Sequence, residues 1–432
     1  MASRLNRTLS FFDLSVYGVG IIVGAGIYAV IGAAAAEAKQ ALWLSFLLAA
    51  LVALVTAASY AELASMYSNA GAEYEFLRRA FPSLGILAFM AGGLMTINSA
   101  ATVATVSLAF GGYLAGYAAL PIWLSALLLV AATTALNIAG IRESTWASII
   151  LIGIEVGALV LFAGAGAFDA DFGFGQFKLP EGDLWAGGWS GLFAGAALIF
   201  FAYIGFEDVA NLSEETKQPQ RTVPRALMVS VVVTGLLYLA VALAALAAVP
   251  PDKLAASQAP LKDAANALSP RLGNTVAVAA LFATASTALI TLISASRMLY
   301  GMARGGDMPR SLGRTLPGRR TPWIAALLVT ALACALLPLG EVKVAASVSS
   351  ISILVIFVCV QAAVIGLRFT APRARRPFRV PMSVARVPVV PVLGIVLCLG
   401  LLTQFEALAY AIAGGLIIVV AAGYWLAFRQ RP

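Results

Sequence analysis

Few side chains in this sequence can do chemistry, and most of those that can sit inside apolar runs. Glu155 stands in SIILIGIEVGALVLF (148–162), and Glu207 and Asp208 interrupt FFAYIGFEDVANLSEET (200–216). Four glycines fall within nine positions of GVGIIVGAGIY (18–28). The chain has no histidine, which removes the commonest general base and metal ligand. Its three cysteines, Cys334, Cys359 and Cys398, each lie in an apolar run and read as packing thiols, neither a disulfide framework nor a zinc site. The glycine run has no preceding strand and no GK[ST], so it is not a phosphate loop. With no cofactor motif, no metal set and no nucleophile–base cluster, a membrane enzyme is disfavoured. What remains is non-covalent binding and proton exchange.

The glycines set up the binding. Each weakens an ordinary helix by roughly 1 kcal/mol relative to alanine, so a run of four predicts a helix broken midway. The alternative is close helix packing through small residues, common in membranes. A broken helix offers free amides where its second half starts and free carbonyls where its first half ends, and the half-helix dipoles reinforce both. A small zwitterion needs both. The expectation is a carboxylate on the amides of Ala25, Gly26 and Ile27, and an ammonium on the carbonyls of Ile22, Phe201, Ala202 and Ile204.

These segments belong to membrane helices. Hydrophobic residues make up 61% of the 432 residues and charged ones 11%, with mean hydropathy +0.93, far too little charge for a soluble surface. Apolar runs of about 20 residues, each able to cross ~30 Å of hydrocarbon, predict twelve spans near 12–36, 41–66, 84–116, 121–140, 144–166, 188–213, 225–248, 274–303, 322–338, 343–367, 388–404 and 406–428. Each must be helical, because hydrocarbon cannot satisfy backbone groups. Of the 28 basic residues, 22 fall on the side of the N-terminus and six (Lys39, Lys178, Lys253, Lys262, Arg271 and Lys343) on the other. The positive-inside rule then makes both termini cytoplasmic. The same spread over many loops argues against a nucleic-acid partner, despite a net charge of +8. The basic-then-apolar N-terminus reads as an uncleaved first helix, and the arginine- and alanine-rich composition suits a bacterial inner membrane. The interrupted spans are the first and the sixth. Five apart, they occupy matching places in two five-span repeats, about 10–166 and 188–367, the second inverted, with two further helices over about 388–428. Paired interruptions of this kind point to a midplane site in a secondary transporter. The whole chain, 1–432, reads as one all-α transmembrane domain.

On GVGIIVGAGIY, YAELASMYSNAGAEYEFLRRAFP (60–82), FFAYIGFEDVANLSEETKQPQRTVPRA (200–226), SASRMLYGMARGGDMPRSLG (294–313) and the Thr321–Pro322 pair, the chain resembles the amino acid–polyamine–organocation transporters. The resemblance implies the five-plus-five inverted-repeat fold of the bacterial leucine transporter, unwound GAG and YIG segments, and the backbone substrate site described above. It also implies that Phe201 matches the aromatic gate of arginine–agmatine antiporters, and that Glu207 matches an acid tied there to pH response. Two departures stand out. Ser68-Asn69-Ala70-Gly71-Ala72 replaces a Pro-x-x-Gly-Gly loop, and Glu155 stands where many relatives carry a lysine near a cation site.

Glu155 lies about eleven residues from either end of its span, roughly 16 Å from water along the axis, where a lone carboxylate is costly to ionise and usually marks a pathway. It is expected to carry the coupling proton, or to replace a cation site, with Ser286 and Thr287 as family-matched neighbours. A paired structural role is the alternative. Glu207 and Asp208 point about 100° apart and cannot both face the site; capping of the second half-helix and gating are the two readings. An inner gate of Arg221 and Arg225 with Glu214 and Glu215 is a further option. Asn98 faces either the site or a neighbouring helix, and Tyr17, Tyr113 and Trp146 read as packing or interfacial rings. The function expected is transport of amino acids, neutral ones favoured because the site shows no clear counter-charge, driven by a proton or another coupling ion. The alternatives are a cationic amino acid, amine or polyamine carrier, and, in another class, a channel or non-transporting sensor.

Overall fold

The computed structural model describes residues 9–67, 72–82, 85–140, 145–168, 183–305, 308–316, 319 and 321–429. The side chains of Trp146 and Glu214, and residues 68–71 of the second motif, lie outside these. The first part runs α1 (Phe11–Val23), α2 (Gly26–Ala38), α3 (Leu42–Met66), α4 (Ala72–Ala80), α5 (Gly85–Leu114), α6 (Ile122–Ala139) and α7 (Thr145–Phe168). Next come α8 (Gly188–Tyr203), α9 (Asp208–Asn211), α10 (Pro219–Ala248), α11 (Pro251–Ala256), α12 (Pro260–Leu268), α13 (Pro270–Gly305), α14 (Trp323–Leu336) and α15 (Val342–Thr370). A small antiparallel hairpin, β1 (Ser383–Val384) and β2 (Val387–Pro388), leads into α16 (Val389–Leu402) and α17 (Ala407–Arg429).

Local sequence sets several of these starts. Ser10 and Asp13 form a reciprocal capping box at α1. Prolines open α10, α11 and α12, where a missing N–H costs nothing. Just before α1, Leu9 donates its N–H to the Glu215 carbonyl at 3.0 Å and accepts from the Lys217 N–H at 2.9 Å. The start of α1 is thereby tied to the stretch that follows α9.

Among the described residues, seven helices are long and apolar enough to cross a membrane, or eight if one bent pair counts as a span. This is the architecture of a multi-pass membrane protein. The count falls below the twelve expected for local reasons. The run 26–66 passes as one piece although a 3-10 turn at Lys39–Ala41 divides α2 from α3. Phe11–Val23, Ile150–Gly166 and Trp323–Leu339 are apolar but short, and α16 and α17 meet at 115°. Large apolar residues such as Trp123, Leu236 and Ile418 are exposed on the outside of the bundle, as lipid contact requires. The interior is built on small residues. A Cβ on Gly195 of α8 would lie 2.7 Å from Ala38 Cβ of α2, so these two helices approach closely.

Candidate functional site

The two glycine-marked segments are interrupted helices. α1 stops at Val23 and α2 starts at Gly26; α8 stops at Tyr203 and α9 starts at Asp208. Gly205 makes the second interruption, with φ of 121°, a backbone region that favours glycine. The breaks face each other. A Cβ on Gly26 would lie 2.5 Å from Ala202 Cα, and one on Gly205 would lie 2.7 Å from Ile21 Cγ2. Only bare backbone permits this approach. Gly26 is partly accessible although Ala25 and Ile27 on either side are buried, and Ile204 is partly accessible between buried Tyr203 and Gly205. The partly accessible positions at the two breaks are therefore Gly26 and Ile204, beside buried Phe201 and Ala202.

The polar groups at the breaks are accounted for one by one. The hydroxyl of Tyr238, on α10, donates toward three carbonyls: Ile22 at 2.8 Å, Val23 at 3.0 Å and Ala202 at 3.1 Å. One hydroxyl carries one proton, so these oxygens keep capacity for a further donor. They are the C-terminal ends of α1 and α8, where a helix leaves its carbonyls unpaired and its dipole negative. Across the gap, the Ala25 N–H donates to Thr287 Oγ1 at 3.1 Å. Gly26 and Ile27 open α2, and first-turn amides have no partner within their own helix. Acceptors thus end α1 and α8, and donors start α2, at the same pair of breaks.

Sequence reasoning missed Tyr238. A signal was present, since a tyrosine in the middle of an apolar span must find an acceptor for its hydroxyl, but nothing in the sequence names that acceptor.

Glu155 is buried on α7, and its Oε1 accepts from Ser286 Oγ of α13 at 2.9 Å. Thr287, the next residue, holds Ala25. The partner of the acid and the partner of the break therefore sit side by side on one helix. Tyr28 Oη, on α2, donates to the Glu155 main-chain carbonyl at 3.2 Å, and Tyr113 Oη donates to the Tyr28 carbonyl at 3.2 Å. Glu207 is turned back to the break, where its Oε2 accepts from the Gly205 N–H at 2.9 Å, while Asp208 accepts from Asn211 Nδ2 at 3.4 Å. Asn98 accepts from Ser349 Oγ of α15 at 2.6 Å, a bond between helices. Arg221 and Arg225 are exposed.

In sequence the chain is similar to known membrane transporters. The sequence profile of the amino acid permease family matches residues 9–427. The branched-chain amino acid permease BcaP of Bacillus subtilis is 31% identical over 92% of this chain and 88% of its own length. The methylthioribose transporter of the same organism is 28% identical over 100% of this chain and 95% of its own length. The vacuolar cationic amino acid transporter 4 of Arabidopsis thaliana is 30% identical over 85% of this chain, which covers 64% of that longer protein.

Proposed function

The chain belongs to the amino acid permease family, within the amino acid–polyamine–organocation superfamily, and on that footing we propose that it carries a neutral amino acid across a bacterial inner membrane by alternating access. The observation that carries this reading is the convergence of Ile22, Val23 and Ala202 carbonyls, from two broken helices, on one Tyr238 hydroxyl opposite the start of α2. The substrate carboxylate meets the amides of Gly26 and Ile27 and, by displacing Thr287 Oγ1, that of Ala25, and its ammonium meets the carbonyls of Ile22, Phe201, Ala202 and Ile204. Phe201 and Glu207 gate the site.

Twelve spans account for the helices. α1 with α2 is the first span and α8 with α9 the sixth; α3, α5, α6, α7, α10, α13, α14 and α15 supply the other eight of a five-plus-five inverted repeat. The 115° turn between α16 and α17 favours two final spans over a single bent one. The basic-residue split puts both termini in the cytoplasm.

Glu207 accepts from the Gly205 amide and Glu155 from Ser286, bonds that leave each carboxyl further acceptor sites. One observation favours a neutral side chain. The branched-chain permease among the relatives carries substrates of that kind. The second reading, a cationic amino acid or polyamine carrier, draws on the same two buried acids and on the plant cationic transporter.

Coupling is assigned to Glu155 with Ser286 and Thr287. A proton arriving on Glu155 changes its bond to Ser286, next to the residue that holds Ala25, and so couples protonation to the substrate's carboxylate site. In proteoliposomes, an inward proton gradient should drive uptake of labelled leucine with proton entry. Glu155→Gln should cut gradient-driven accumulation about tenfold while leaving exchange intact, as expected for a buried acid on a proton path. Full pH-dependent accumulation by Glu155→Gln would refute the coupling role, and labelled arginine displacing leucine as the better substrate would favour the second reading.

A further inference from the structure

Glu73 has no part in the transport reading, yet its surroundings are unusual for an acid outside the spans. It lies in the first turn of α4, a nine-residue helix, and its side chain is buried. Glu73 Oε1 accepts a hydrogen bond from Tyr60 Oη of α3 at 3.2 Å. The Tyr60 ring stands edge-on to Phe76 of α4, to Phe206 in the break before α9 and to Phe357 of α15. α4 is thus docked on Tyr60 of α3 through the Phe76 ring and the Glu73 carboxyl, and Tyr60 in turn packs on the break before α9 and on α15.

No cation answers that carboxyl among the described residues. On α4 itself, Arg79 pairs with Glu75 and lies over Tyr67, and Arg78 is exposed. On α15, Arg368 is held by Glu62 of α3, and Lys343 pairs with Glu37 and Glu406. α5, the other neighbour of α4, carries no charged residue. The titratable groups that do face Glu73 are Tyr60, Glu207 and Asp208, the last two acids themselves. Among the described residues, its polar contacts are Tyr60 and its own main-chain amide.

We propose that Glu73 is a proton-operated latch on the cytoplasmic face: with its carboxyl neutral, α4 stays docked on Tyr60, the ring that packs against the break in the sixth span, and with the carboxylate formed, α4 undocks. Burial pushes the Glu73 carboxyl from its ordinary 4.5 up to about 7, and the bonds from its own amide and from Tyr60 offset only part of that. The docked helix therefore keeps its proton up to about pH 7, whereas a released helix gives it up near 4.5. Docking is fully favoured below that lower value, and its proton-derived advantage is gone once pH rises past about 7. Undocking withdraws Phe76 from the Tyr60 ring that packs on Phe206, the neighbour of Glu207, and so removes the outer support of that wall of the break. An alkaline cytoplasm thus frees the inner half of the sixth span to move; this consequence for flux rests on the transport reading, the latch itself does not.

Hydrogen exchange of the full chain in nanodiscs tests the latch without turnover. After correction for intrinsic rates, protection of the α4 amides should fall about tenfold or more from about pH 5.5 to about pH 8, as linkage of this size allows. Glu73→Gln should stay protected at both values, and Tyr60→Phe should lose protection at the lower one. Protection that ignores pH in the parent chain, or a Glu73→Gln profile that follows the parent, overturns the proposal. If α4 protection follows pH while no substrate moves in proteoliposomes, the latch stands and the transport reading falls.

Discussion

Tyr238 concentrates at one atom what the two broken helices leave unfinished. Its hydroxyl lies within hydrogen-bond reach of carbonyls from both α1 and α8, and it is fully buried. A neutral hydrogen bond of this kind contributes about 1 kcal/mol net, but removing a donor from buried carbonyls costs about 1–3 kcal/mol when nothing replaces it. Tyr238 is a positioning residue on this reading: it holds the two half-helix ends where an ammonium can reach them. Tyr238→Phe keeps the ring and its packing against Phe46 and Tyr203. It should lower the melting temperature slightly and raise the KM for substrate about tenfold, the equivalent of one such bond, with kcat less affected. Unchanged KM and melting would mean that the carbonyls are held by other contacts. Glu155 could be picked out of the sequence because it is conspicuous in an apolar run, and Ser286 and Thr287 only through the family resemblance. Tyr238 could not, because what matters about it is three distant carbonyls, the farthest in sequence 216 residues away.

At the scale of elements, the glycines divide into kinds that look alike in sequence. Gly18 and Gly20 lie inside continuous α1, where an added Cβ would strike Ser230 and Ile152; they serve close packing. Gly26 and Gly205 serve the breaks. Gly153 and Gly157 lie in α7 with nothing within 4 Å of a Cβ, and that helix runs on unbroken. Both readings of the first glycine run, small-residue packing and interruption, therefore hold at different positions of one segment. Spacing could not separate them, because the obstacle to a side chain is always on another element. The consequences differ sharply. At Gly26, alanine would put its Cβ against Ala202 Cα, a backbone atom that cannot swing aside; overpacking of that sort costs about 1–3 kcal/mol. At Gly205, alanine adds left-handed strain of about 1–2 kcal/mol to the contact with Ile21. Both variants should lose at least about tenfold in transport, since either cost equals roughly a decade. Gly157→Ala should keep full transport and gain up to about 1 kcal/mol of helix stability. If Gly26→Ala transports as well as Gly157→Ala, the close approach of the breaks is not needed for function.

For the molecule as a whole, the question is what fixes the last two helices to the rest. α15 ends at Thr370, and a stretch without long helices leads to α16. Glu62 of α3, itself buried, gathers that stretch. Its carboxylate lies 2.6 Å from Arg368 Nη2 and 3.2 Å from Arg376 Nε, and accepts the Val380 N–H at 2.8 Å. Arg376 also donates to the Leu367 and Ala371 carbonyls, which closes the end of α15. Positive-inside counting registered Arg368 and Arg376 as two of many loop charges. That rule treats every arginine alike and cannot tell a solvated one from one that clamps a linker to the bundle. The division of the chain into spans was legible for the same reason that this clamp was not: hydropathy is a local property, whereas an ion pair between Glu62 and Arg368 spans 306 positions. Burial sets the energetics. Removing one member of a buried pair leaves the other charge without a partner and costs about 3–5 kcal/mol, whereas removing both is often close to neutral. Glu62→Gln should therefore destabilise the protein in detergent by that amount, and Glu62→Gln combined with Arg368→Met should recover part of the loss, because only Arg376, which keeps its bonds to the Leu367 and Ala371 carbonyls, is then left without the carboxylate. A double variant less stable than Glu62→Gln alone would mean that Arg368 holds the linker through its hydrophobic stem and its other contacts, with the charge pair secondary.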